Sequence, residues 1–217
     1  HVRSRRQRQM CIRDRSWKCS KDGQYQFKKV WNSVRTRFDT KFWATMVWSK
    51  IHVPKMAVCL FKAINDFLLT KERLIQKQIV VDQNCVFCNS HIENIDHLFF
   101  QCDFTEKIWF WSCKKFFVNP RSTFSFILKE DLTKIVSISN ARNFKSDLFQ
   151  LSLSVCVWHI WKERNERIFQ NRFTEGSKVC LKIFQTMNIR MAKSKYYQNS
   201  TGMNLEIALK WGHTSQR

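Results

Sequence analysis

Residues 82–103 hold Cys85-Val86-Phe87-Cys88, then His91-Ile92-Glu93, then Asp96-His97-Leu98-Phe99-Phe100-Gln101-Cys102. As a spacing this is Cys85-x2-Cys88-x8-His97-x4-Cys102. Thiolates at i and i+3 on a tight turn can face one ion together, and zinc asks for four tetrahedral nitrogen or sulfur ligands. The stretch therefore predicts a Cys3His zinc site on Cys85, Cys88, His97 and Cys102. His91 is the rival ligand, but two residues after Cys88 leave little chain to reach the fourth corner. A closed site of this kind supplies folding free energy, on the order of 10–16 kcal/mol in small zinc peptides. It would anchor a stretch with no core of its own.

On either side of this stretch the apolar residues recur at helical spacing. Phe27, Val30, Trp31 and Val34 fall at i, i+3, i+4, i+7, and a second helix is expected over 42–51. Pro54 suits the first turn of a third helix running to about Leu69, with Met56, Leu60, Ala63, Ile64 and Phe67 inward. Thr70 reads as the N-cap of a short helix to Gln78. Helical spacing returns at Phe104, Ile108, Trp109 and Trp111, again over 143–171, and last over 178–195. The run from Leu148 to Trp161 is apolar almost all round, so it is buried or is an interface. Only four glycines and two prolines occur in 217 residues, which argues against a sandwich or barrel of many short strands. The expected fold is mainly α: an irregular helical array with a short extended N-terminal segment over 17–27 and one small Cys3His zinc finger.

The same composition narrows the function. The glycines (Gly23, Gly176, Gly202, Gly212) lie far apart, so neither a phosphate loop nor a dinucleotide fingerprint is present. His91-Ile92-Glu93 has the H-x-E pattern of nucleobase deaminases, but there it precedes a P-C-x-x-C, whereas here it follows the C-x-x-C and Asn84 replaces the proline. Four protein ligands also leave no open position for an activated water. The site reads as structural, with no catalytic residue and no small-molecule substrate.

Lys and Arg number 38 against 17 Asp and Glu, a net charge of +21. Six Arg less one Asp assign +5 of this to residues 1–16, leaving +16. Gln9 to Arg15 resembles translated sequencing-adapter sequence, and the chain opens on His1, so 1–16 reads as a non-native or disordered basic leader on a fragment of something longer. The excess of Lys and Arg points to RNA or DNA, since phosphate contacts release counterions whatever the base sequence. Candidate contacts are Lys71, Arg73 and Lys77 before the finger and Arg164, Arg167 and Arg172 after it, with Phe87 as a stacking platform. No apolar leader and no run of about 20 apolar residues occurs, so neither secretion nor a membrane is expected. Nine cysteines, an odd number, favour reduced thiols and an intracellular, nuclear or cytoplasmic setting.

Taken in order, these residues resemble the reverse-transcriptase zinc-binding domain of plant LINE-type (non-LTR) retrotransposon polyproteins. The likeness runs through Trp17, Gly23, Tyr25 and Phe27, then Val47-Trp48, Val53-Pro54-Lys55, Thr70-Lys71-Glu72-Arg73-Leu74 and Ile79, to the finger with Glu93 and Trp109. Trp158-His159-Ile160-Trp161-Lys162-Glu163-Arg164-Asn165 is similar to the W-x-I-W-K-x-R-N helix that commonly follows. Lys77-Gln78 departs from it, standing where the family often has Arg-Gly. The resemblance implies a zinc-binding accessory piece between the polymerase and ribonuclease H regions of a polyprotein. The chain carries no Y-x-D-D polymerase box and no obvious D-E-D-D set. The expected organisation is a zinc-binding domain over 17–116, a linker over 117–142, a helical region over 143–195 and a tail over 196–217. Two other readings stay open: a structural module packing between polymerase and C-terminal domains, and a decayed fragment without function.

Overall fold

A computed structural model describes residues 26–36, 41, 43–116 and 144–193. The leader, the linker, the tail and all but the last two residues of the expected extended segment lie outside these residues, and Phe27 already opens a helix. The chain divides into two units, at Thr40 and Lys41. The first contributes helix α1, Phe27–Val34, where the apolar spacing placed it.

Apart from the finger, the described residues of the second unit form helices and the turns that join them. Its helices are α2 (Ala44–Val47), α3 (Pro54–Ile64), α4 (Lys71–Gln76), α5 (Asp103–Phe116), α6 (Phe144–Gln170) and α7 (Gly176–Ala192). Between α4 and α5 lie the finger and a single π-turn, His97–Gln101. Helix α6 is central, packing against α2, α3, α5 and α7. This explains its apolar run: Leu148, Leu151, Leu153, Val155, Cys156, Val157 and Ile160 are all buried. Ser152 and Ser154 are buried beside them, their hydroxyls donating to the carbonyls of Phe149 and Leu151 at 2.8 Å. A hydroxyl bonded to its own helix can enter an apolar layer without stranding a polar group. Burial pushes His159 down to about 4, with Lys162, Lys182 and Lys55 adding to the shift. Its ring meets the Thr186 hydroxyl at 2.9 Å between α6 and α7. Residues 144–192 thus share the core of the residues before them.

Local chemistry sets the helix ends. Val53 is extended, as a residue before proline must be, and Pro54 opens α3. Thr70 caps α4, its hydroxyl accepting from the Arg73 N–H. Two expectations were too long: the helix over 42–51 shrinks to Ala44–Val47, and α3 stops at Ile64 rather than near Leu69. The stop is a Schellman closure. Phe67 N–H donates to the Lys62 carbonyl at 2.7 Å, Asp66 N–H donates to Ala63, and Asp66 adopts φ 59°. That turn throws Phe67 outward, 58% exposed, so it does not belong to the inner face on which Met56, Leu60, Ala63 and Ile64 are buried.

Helix α4 closes the same way: Ile79 N–H donates to Leu74, Gln78 N–H donates to Ile75, and Gln78 adopts φ 62°. Here Gln78 occupies a left-handed position that glycine takes without a Cβ penalty. We expect Gln78→Gly to stabilise the chain by about 1 kcal/mol in urea melts; no gain, or a loss, would mean that the left-handed turn is absent.

Candidate metal centre

The finger begins as a small hairpin. Asn84 and Ile92 form an antiparallel bridge, Cys85 N–H donates to the His91 carbonyl at 2.7 Å, and Glu93 N–H donates to Gln83 at 2.9 Å. At its tip Cys85 and Cys88 lie on one tight turn. Asn89 N–H returns to the Cys85 carbonyl at 2.8 Å, Asn89 takes φ 56°, and Phe87 N–H points at Cys85 Sγ at 3.4 Å. The other two side chains come from the π-turn. Asn94 Oδ1 accepts the His97 N–H at 2.8 Å, and Cys102 N–H donates to the His97 carbonyl across the wider loop. An i to i+5 turn is the device that brings His97 and Cys102 to one side.

The four ligand atoms of Cys85, Cys88, His97 and Cys102 all lie within 4.8 Å of one another. Cys85 and Cys102 Sγ are 4.0 Å apart, and Cys88 Sγ and His97 Nε2 are 3.3 Å apart. A tetrahedron with zinc–sulfur and zinc–nitrogen bonds of ordinary length has edges of about 3.6–3.8 Å. Donor types and spacing therefore fit zinc, whose chemistry in such a closed site is that of a cross-link. Cys85, His97 and Cys102 are buried and Cys88 is partly so. The hydrogen bond shared with Cys102 pulls Cys85 down to about 5, and the same bond and burial push Cys102 upward. His91 stacks on the His97 ring at 5.0 Å but is exposed and stands outside the group of four; its backbone carbonyl is what the finger uses. Cys59, Cys113, Cys156 and Cys180 are free and buried, each thiol pushed up by burial, which keeps them protonated.

The finger is fastened to the helices by charge turned inward. Glu93 is wholly buried, and its Oε1 accepts from Arg164 Nη2 at 2.7 Å, Arg164 Nε at 3.1 Å and the Lys71 backbone N–H at 3.0 Å. Glu93 O also accepts from Glu72 N–H. Arg164, 3% exposed, reaches the Leu69 carbonyl and Asn165 Oδ1 and lies 4.8 Å from the Trp161 ring centre. This corrects the expectation that Arg164 contacts phosphate: its guanidinium is buried and bonded inside the protein.

Three more expected contacts are committed to the fold. Lys71 Nζ donates to Asp82 at 3.0 Å and to the Asn84 carbonyl at 2.6 Å, and that first bond holds the Asp82 carboxyl below its usual range. Phe87 stacks on Phe104 at 4.6 Å, and Arg167 covers both rings at 4.8 and 4.5 Å. Arg167 also donates to the buried Glu163 at 3.0 Å and to the Thr174 carbonyl. Phe87 is thus a packing residue and not an open platform. Lys77 and Arg172 are exposed, and Arg73 is half-exposed beside Asp66.

With that geometry in view, the comparison with known families is direct. Residues 25–109 match the family described as zinc-binding in reverse transcriptase. The matched family is an accessory zinc-binding domain and not a catalytic one. No curated protein and no solved structure matches the chain. The matched stretch contains all four residues of the cluster, while Arg164, which grips Glu93, lies beyond it. Neither Glu93 nor Glu163 had been singled out for a role of its own; the presence of Glu93 in the finger pattern was the available signal.

Two outcomes follow. The purified chain is expected to carry about one zinc, and Cys85→Ser to lose it together with much of the finger's stability; metal analysis and melting would check both, with Cys59→Ala keeping its zinc. Arg164→Met leaves Glu93 buried without its countercharge and should cost about 3–5 kcal/mol in denaturant titrations, against almost nothing for Arg172→Ala.

Proposed function

We propose that this chain is a non-catalytic, zinc-held accessory domain of a retrotransposon reverse-transcriptase polyprotein, and that it binds RNA or DNA. The carrying observation is a Cys3His cluster of zinc-like geometry inside a stretch that matches a zinc-binding family of reverse transcriptases. Cys85, Cys88, His97 and Cys102 are the proposed ligands. The order of motifs supports a plant LINE-type origin and a place between polymerase and ribonuclease H regions. No helix among the described residues is long and apolar enough to cross a membrane, and the proposed setting is nuclear or cytoplasmic.

The net charge of +21 supports nucleic-acid binding, because sequence-independent affinity grows with the phosphates neutralised. A second reading, a scaffold between neighbouring domains, draws on the inward turn of Lys71, Arg164 and Arg167. A labelled RNA separates the two. Binding by the whole zinc-loaded chain at ~50 mM salt, weakening steeply as salt rises, is the expected result, since counterion release dominates. An absence of binding at that salt would favour the scaffold.

A further inference from the structure

The finger spends most of its nearby cations on itself, so phosphate and bases must be met elsewhere if the chain holds nucleic acid. Helices α3 and α6 present a different surface. Trp158 and Trp161, one turn apart on α6 and both partly exposed, wall two adjoining clefts of about 270 and 240 Å³. Lys55 and Lys62 enter from α3 and Lys162 from α6, all three exposed. The one acidic residue lining either cleft is Glu166, and Lys162 already pairs with it at 3.4 Å. Three lysines less one glutamate leave +2 around two indoles. Phe67 and Phe169, both well exposed, extend the aromatic surface at its two ends.

We propose that this α3–α6 surface binds single-stranded nucleic acid, with bases stacked on Trp158 and Trp161 and phosphates on Lys55, Lys62 and Lys162. The assignment rests on the nucleic-acid reading above and gives it a place. Lys55 Nζ now lies 5.3 Å from the Trp158 ring centre. An exposed cation–π contact is worth about 0.5–1 kcal/mol, less than the ~1–3 kcal/mol of a stacked base. An incoming base therefore displaces the ammonium, which is free to take the adjoining phosphate. A duplex offers no unstacked base to the clefts, and a strand does. A protein partner is a poorer match, because lysine is depleted at the centre of protein interfaces.

The test uses the full zinc-loaded chain and fluorescent oligouridylate and oligothymidylate of about 12 nucleotides, with a duplex of equal length as a third arm. Both strands are expected to bind and the duplex to bind more weakly. Lys55→Glu/Lys62→Glu, at exposed positions, should weaken strand binding about tenfold and lower the slope of log K against log salt by about 1.4, two phosphates at about 0.7 each. Lys107→Glu/Lys114→Glu makes the same charge change on α5 and should alter affinity far less. Crosslinks from a 4-thiouridine strand are expected on the peptide carrying Trp158 and Trp161, which needs no variant to fold. Crosslinks on residues 82–103, or unchanged binding by the α3 variant, would overturn this surface while leaving the accessory role intact. Absence of binding by every probe at low salt would instead remove the nucleic-acid reading itself. Self-association of the wild-type chain that the α3 variant abolishes, with no strand bound, would mark the surface as a contact between copies and also overturn it.

Discussion

One buried ion pair ties the finger to the rest of the molecule. Glu93 is wholly buried, and its Oε1 receives two bonds from Arg164 and one from the start of α4. A buried carboxylate without such partners would be several kcal/mol too costly to keep charged. The pair therefore fixes where the finger sits: α4, the hairpin and α6 must meet at one point or leave a charge stranded. Asn165 and the Leu69 carbonyl take two of the three remaining guanidinium protons, which leaves Arg164 little freedom to point elsewhere.

The metal cluster and the ion pair divide the work. The cluster can close residues 85–102 on themselves, and the pair joins that closed unit to a helix 71 residues away. Arg167 repeats the arrangement one turn later, held by Glu163 and lying over Phe87 and Phe104. Two arginines that look like nucleic-acid contacts thus act as internal fasteners. Positive charge left for a partner comes from residues such as Lys55, Lys62 and Lys162, which face solvent. A strongly basic composition does not say which of its cations are available; burial and partners decide it.

Much of the fold was legible because its signals are local. Apolar spacing located α5, α6 and α7 to within a few residues, Pro54 marked the start of α3, and Thr70 announced α4 by its capping hydroxyl. The four cluster residues were legible for the same reason: two thiols at i and i+3 and a His–Cys pair on one turn are short-range patterns. The errors came where a turn intervened. Phe67 continues the apolar stripe of α3, but a left-handed Asp66 ends the helix before it. Likewise the Gln78 turn was visible only as an unexplained departure from the usual Arg-Gly.

The sequence by itself determined the donor set, the helical character and the basic balance, since each depends on residue type and on spacings of a few positions. Only the tertiary structure decided that α6 runs through the centre, that Glu93 meets Arg164 and that Trp158 and Trp161 share an open basic surface. The physical reason is that a side chain's role depends on the dielectric and the partners that distant segments bring to it. Arg164 and Lys55 carry the same charge in the sequence; burial against a carboxylate makes one a fastener, and the other stays exposed to solvent.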